Sequence, residues 1–187
     1  ERIAFAYLRQ STGREKPFLG IVHRLDRLTS GVLLLAKRKS ALRFLNRQFA
    51  ERQVQKTYRA WVAHQPAEKA TTLTHWIRRD DRGKKALVSD KPGGGAKKAV
   101  LHYQVLGEGK FGWLLEIRLH TGRYHQIRAQ MAAVGCPVVG DRFYGSQKTW
   151  PVERGIGLHA WSLSFVPPQE DTARTLVAEN PRFGSVT

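Results

Sequence analysis

The chain has 187 residues, 41% of them hydrophobic, with five Trp, eight Phe and five Tyr, enough for the core of one domain and against intrinsic disorder. No apolar run approaches the roughly 18 residues of a membrane-spanning helix, and one cysteine, Cys136, excludes an intramolecular disulfide framework and any CxxC zinc site and fits a reducing, cytoplasmic compartment. Thirty-two Lys and Arg against 15 Asp and Glu give a net charge of +17 and a pI near 10.7, which points to a polyanion, nucleic acid ahead of the alternative of a basic ribosome-associated or membrane-surface protein; RNA is the expected partner and no membrane is.

In chain order, Ile3, Ala4, Ala6, Tyr7 and Leu8 read as the end of an amphipathic helix, and Ser11 to Pro17 as a loop. The apolar run in Gly31 to Lys37 predicts a strand buried on both faces. A helix follows, with Ser40 as N-cap and Leu42, Leu45 and Phe49 on one face. Lys56 to Ala63 alternates as a strand, with Tyr58, Ala60 and Val62 on one face and Thr57, Arg59 and Trp61 on the other. Leu73 to Ile77, Ala86 to Ser89 and Val100 to Leu106 are further strands, separated by Asp80-Asp81-Arg82-Gly83 and Pro92-Gly93-Gly94-Gly95. Trp113, Leu115, Ile117 and Leu119 repeat with period two, as a half-buried strand does. A helix is expected from Tyr124, with Ile127, Met131 and Val134 inward, ending at Gly135. Gly140 to Gly145 reads as a turn, and Gly157 to Phe165 as the last strand. Consecutive strands with few interleaved helices predict an α+β fold with a mixed, largely antiparallel central sheet and flanking helices.

Three segments could carry chemistry. Between Lys16 and Ala50 the chain has eight Lys or Arg and a single acid, Asp26. It lies in His23-Arg24-Leu25-Asp26-Arg27-Leu28-Thr29-Ser30-Gly31, where flanking cations favour the ionised carboxylate. A structural aspartate that caps a turn is one reading; a nucleophile held at the entry to a rigid strand is the other. In Thr121-Gly122-Arg123-Tyr124-His125-Gln126-Ile127-Arg128 the glycine permits a sharp strand-to-helix turn whose free N–H groups suit an anion, and Tyr124 and Arg128 share a helix face. Arg128 could clamp a phosphate or hold a carboxylate such as Asp26. Tyr58 is a core aromatic or a platform for a base. The sequence has no HExxH, GxxxxGK[ST] or GxSxG, and neither a metal nor a nucleotide cofactor is expected. Cys136 reads as a packed thiol.

The segment His23 to Gly31 before an apolar run resembles the signature of the RluA-type pseudouridine synthases, which modify ribosomal and transfer RNA. Lys56-Thr57-Tyr58, Thr121 to Arg128, Gly140-Asp141-Arg142-Phe143-Tyr144-Gly145 and Leu158-His159-Ala160 follow in that family's order, over about residues 20–168. The resemblance implies the pseudouridine synthase fold and cofactor-free conversion of uridine to pseudouridine in rRNA or tRNA by a monomer. It implies Asp26 as the nucleophile, and Tyr58 as the residue that stacks on the target base and takes part in removing the proton from carbon 5. Arg128 would be the partner of the aspartate and Arg24 would help displace the flipped-out base. Ile127 and Leu158 would wall the pocket, and Arg27, Arg123 and His125 would contact RNA. The Lys-Pro strand that members usually carry before the first motif has no counterpart, so the resemblance implies a single catalytic domain over 1–187 that lacks its N-terminal strand segment, with no separate N-terminal RNA-binding domain. The same fold without activity, as an RNA-binding or ribosome-assembly module, is the alternative.

Overall fold

The computed structural model describes residues 2–184. Three α-helices, α1 (Arg2–Thr12), α2 (Lys39–Ala50) and α3 (Gln126–Ala133), accompany ten strands. The strands are β1 (Gly20–Ile21), β2 (Ser30–Gly31), β3 (Leu35–Ala36), β4 (Gln55–Val62), β5 (Ala70–Asp80), β6 (Lys85–Ser89), β7 (Lys97–Gly109), β8 (Gly112–Leu119), β9 (Leu158–Phe165) and β10 (Arg174–Val177). Eight of them form one sheet, in the order β10-β9-β4-β8-β7-β5-β6, with β2 alongside β9; β1 and β3 form a separate ribbon. Every pairing in the large sheet is antiparallel except β2 with β9. This is the α+β, mixed but largely antiparallel architecture that the run of consecutive strands predicts.

The alternation in β4 sorts its side chains between two cores. Ala60 and Val62, with Tyr58 packed beside them, join Leu101, Leu115, Ile117, Ile127, Met131 and Leu158 under α3. Trp61 faces the other way, with Leu114, Val139 and Phe183. Leu114 and Leu115 are both fully buried, so β8 is covered on both faces where the sequence predicts a half-buried strand. Burial of a side chain of this size contributes about 1.5–3 kcal/mol. A third core lies between α2 and the far end of β9, around Leu45, Val54, Leu163 and Phe165.

Several local expectations are corrected. Gly31 to Lys37 is not a single buried strand. Two two-residue strands, β2 and β3, flank an irregular Val32-Leu33-Leu34, and Leu33 is exposed. Val32 and Leu34 are apolar because they pack on the core under α2. The Leu34 N–H donates to His23 Nε2 at 3.0 Å instead of to a sheet ladder. Helix α2 starts one residue before Ser40, with Arg38 at its N-cap position and no side-chain cap. His125 adopts a left-handed conformation (φ 50°) that delays α3 until Gln126, so Tyr124 does not share a helix face with Arg128. Val134 ends up exposed. Finally, β9 is followed by β10, which pairs along Ser162 to Phe165.

Candidate active site

Asp26 sits on a loop tied at many points. The Thr29 N–H donates to its carbonyl at 2.9 Å, closing a tight turn, and the Ile156 N–H bonds Leu28 O at 3.2 Å. His23 stacks on Phe49 and accepts the Leu34 N–H; burial, aided by the charge of Lys56, lowers its pKa to about 4, so the ring stays neutral and its acceptor nitrogen stays available. On the far side, β2 lies parallel to β9. The His159 Nε2–H donates to Ala178 O at 2.7 Å, which leaves Nδ1 to accept the Ser30 hydroxyl at 2.7 Å. Gly31 has φ 119°, and a Cβ there would stand 2.2 Å from Ala160 O; only glycine lets the two backbones approach this closely. The loop's rigidity thus comes from these ties, not from the central strand that the sequence suggests.

Arg128 projects from α3 into the same place and is 5% exposed. Its Nε and one terminal nitrogen grip Asp141 at 2.6 and 2.9 Å, in the bidentate geometry that a guanidinium offers a carboxylate. The other terminal nitrogen stands 3.6 Å from Asp26 Oδ2. Asp141 is fully buried, whereas the Asp26 side chain is 28% exposed. Burial pulls the Arg128 pKa down, but the hydrogen bonds and charge of Asp141, then the charge of Asp26, outweigh it and leave the guanidinium above its ordinary value. The cluster therefore holds two carboxylates on one cation. Each oxygen of the buried carboxylate accepts a hydrogen bond from Arg128, whereas the exposed one meets the guanidinium only at 3.6 Å.

Tyr58 is half-buried on β4 and packs on the core that contains Ile127 and Leu158. Burial, then the negative charge of Asp26, raises its phenol to about 12, which places the ring within electrostatic reach of that carboxylate. Tyr144 completes the surroundings. Its hydroxyl accepts the Ala86 N–H at 2.8 Å and shares a hydrogen bond of 3.0 Å with His125 Nδ1, and its ring lies 4.9 Å from the Arg128 guanidinium carbon. Burial lowers the pKa of His125 against the opposing pull of Asp26, and its ring stacks on Tyr124 at 3.8 Å.

Asp26 and Arg128 thus face each other, the charge of Asp26 is felt at Tyr58 and His125, and Tyr58 packs on the core that buries Ile127 and Leu158. Arg24 and Arg27 are exposed on the flanks of the loop. Arg123 stands apart, its Nε donating to Lys98 O at 2.9 Å. Its N–H is taken by Gln126 Oε1 at 2.9 Å, so the start of α3 does not offer that group to an anion as the sequence suggests. Sequence reasoning missed Asp141 and Tyr144, although both stand in the Gly140 to Gly145 segment. A lone acid in a basic segment was the available signal for Asp141, the same one that singles out Asp26. Among the described residues, no three His, Cys, Asp or Glu side chains cluster as metal ligands, and no helix is long and apolar enough to cross a membrane.

Residues 4–133 match the family model described as RNA pseudouridylate synthase. The chain is 37% identical over 172 residues to the ribosomal large subunit pseudouridine synthase D of Zymomonas mobilis, with 87% of this chain and 53% of that protein covered. It is 42% identical over 184 residues to an uncharacterized RNA pseudouridine synthase of Aquifex aeolicus, covering 93% and 57%. The chain spans about half the length of the curated relatives it matches. Among solved structures, human RNA pseudouridylate synthase domain containing 4 superposes with a TM-score of 0.76 at 27% identity, covering 97% of this chain and 79% of that one.

Proposed function

The chain belongs to the RNA pseudouridylate synthase family, and from that premise we propose that it isomerises uridine to pseudouridine in structured RNA, ribosomal or transfer, with Asp26 as nucleophile. The observation that carries this reading is the pairing of unequal carboxylates. Asp141 is buried and locks Arg128, which leaves Asp26 accessible, 3.6 Å from a fixed cation, with its charge felt at the Tyr58 phenol. The reaction breaks the bond between the sugar C1′ and N1 of uracil, turns the base, joins C1′ to C5, and exchanges the C5 proton for one on N1. Atoms balance within the nucleotide, so the carboxylate is regenerated and no co-reactant is consumed. Attack on the sugar or on the base calls for the same carboxylate. A base inside a helix cannot reach that group, so the target is extruded, with Arg24 displacing it and Tyr58, Ile127 and Leu158 receiving it. Arg27, Arg123 and His125 contact the surrounding RNA. A surface of net charge +17 supports an RNA substrate, and a soluble cytoplasmic monomer, free of cofactor and metal, is part of the same proposal.

Asp26→Asn tests it. The variant should bind RNA within about twofold of the parent yet lose at least about 10³-fold in pseudouridine formation, about 4 kcal/mol of barrier. The product is read by carbodiimide labelling and primer-extension stops. Turnover retained in RNA-free variant protein would remove Asp26 from the reaction. RNA binding by the parent without conversion of any uridine would leave a binding module.

A further inference from the structure

A cleft of about 280 Å³ opens between the end of α2, β4 and the loop that leads into α3, lined by Phe49, Ala50, Arg52, Val54, Lys56, Thr121, Gly122 and Arg123. Three cations from three separate parts of the fold share it, and among the described residues none of them forms an ion pair. Lys56 is half-buried, and burial depresses its pKa, so its ammonium gives up hydration without a carboxylate to replace it. Gly122 leaves room for that head group: a Cβ there would lie 3.2 Å from Lys56 Nζ. Arg123 is held by its Nε on Lys98 O, which leaves its terminal nitrogens to a ligand. Arg52 sits in a left-handed turn (φ 59°) just past α2.

We propose that this cleft is a phosphodiester subsite, which seats a backbone phosphate next to the nucleotide being modified. The inference rests on the isomerase reading for its source of phosphate and deepens it. Position favours RNA over a free anion. Lys56 lies two residues before Tyr58 on the same face of β4, about 7 Å along the strand, a separation that one nucleotide bridges. A phosphate held at Lys56 would register the strand so that the neighbouring base meets Tyr58.

Two arms test this. In the first, inorganic phosphate is titrated into the protein while the Gly122 amide is followed by NMR; the shift should saturate in the parent and vanish in Lys56→Met. In the second, affinity for a uridine oligonucleotide is measured by fluorescence anisotropy over a range of KCl concentrations. Lys56→Met and Arg123→Met should each weaken binding about 5- to 10-fold and lower the salt slope by about 0.7, the value for one phosphate contact on a single strand. Lys39→Met and Lys110→Met, exposed cations outside the cleft, should change affinity less than about twofold. Removing a half-buried charge should leave Lys56→Met as heat-stable as the parent, which separates binding from folding. Equal losses in all four variants would reduce the cleft to a share of the overall charge and overturn the proposal. Phosphate binding without an effect on RNA would overturn it in favour of a free-anion site. Both arms are read without turnover, so failure of the isomerase reading leaves them interpretable.

Discussion

Asp141→Asn removes one charge from the cluster with almost no change of shape. The carboxylate is fully buried and makes both short hydrogen bonds to an Arg128 side chain that is 5% exposed. Breaking a buried pair by removing one partner typically costs about 3–5 kcal/mol, because the surviving charge stays desolvated. For a domain of this size each kcal/mol moves the melting temperature by about 2–4 °C, so Asp141→Asn should melt roughly 6–20 °C below the parent. Asp26 is 28% exposed and 3.6 Å from the same guanidinium, a weak contact, and Asp26→Asn should cost less than about 1 kcal/mol. Scanning calorimetry on both variants at neutral pH decides it. Replacing Arg128 and Asp141 together by Met and Leu should recover part of the loss, since the desolvated ions disappear as a pair. Near-equal melting temperatures for Asp141→Asn and Asp26→Asn would refute the division into a structural and an accessible carboxylate.

The Tyr58 phenol, raised to about 12 by burial and then by the charge of Asp26, should titrate at lower pH in Asp26→Asn, followed by ultraviolet difference absorption; an unchanged titration would mean that the two groups do not sense each other. His23 is held neutral in the fold, with its pKa lowered from 6.5 to about 4. Its contribution is complete above pH 6.5 and is lost as pH falls from there through 4, on the order of 1–2 kcal/mol after solvent screening is allowed for. His23→Phe keeps a ring against Phe49 and should flatten the urea-midpoint profile over that window, whereas an unaltered slope would assign the acid loss elsewhere. Gly31→Ala combines φ 119° with a contact 2.2 Å from Ala160 O. It should lose more than the 1–3 kcal/mol of backbone strain alone and reduce turnover through displacement of the Asp26 loop; a melting temperature within about 2 °C of the parent would refute that close approach.

Regular elements were legible where a single face decides the pattern. β5 and β7 alternate because each buries one face, and their turns carry Gly, Asp and Pro at the required places, whereas β4 and β8 read as strands but their burial on both faces did not show in the alternation. The segment from Gly31 to Ala36 was not legible, because an apolar run has the same composition whether it lies in a sheet or threads between a helix and a loop. Its hydrogen bonds decide the matter, and one of them goes to His23, eleven residues earlier. The start of α3 was misplaced for a similar reason. His125 takes the left-handed conformation, the Tyr144 hydroxyl hydrogen-bonds its ring and Tyr124 stacks on it, and local propensity carries neither contact.

The candidate site divides in the same way. Asp26, Tyr58 and Arg128 could be named from motifs, but motifs leave open how one arginine serves a reacting carboxylate without being displaced by it. Asp141 supplies the answer. A guanidinium bound only to Asp26 would be free to turn whenever that carboxylate changed its charge or formed a bond. Gripped at two nitrogens by a carboxylate that never meets solvent, Arg128 keeps its direction. Gly140 belongs to this arrangement: at φ 83°, with a Cβ that would lie 2.6 Å from Trp150 Cβ, it lets the chain turn and deliver Asp141 beneath the arginine. On the proposed reaction path, covalent use of Asp26 would also remove one of the two causes that raise the Tyr58 phenol. Tyr58 would then give up a proton most readily while the intermediate exists, and Arg128, still paired with Asp141, would hold its place throughout.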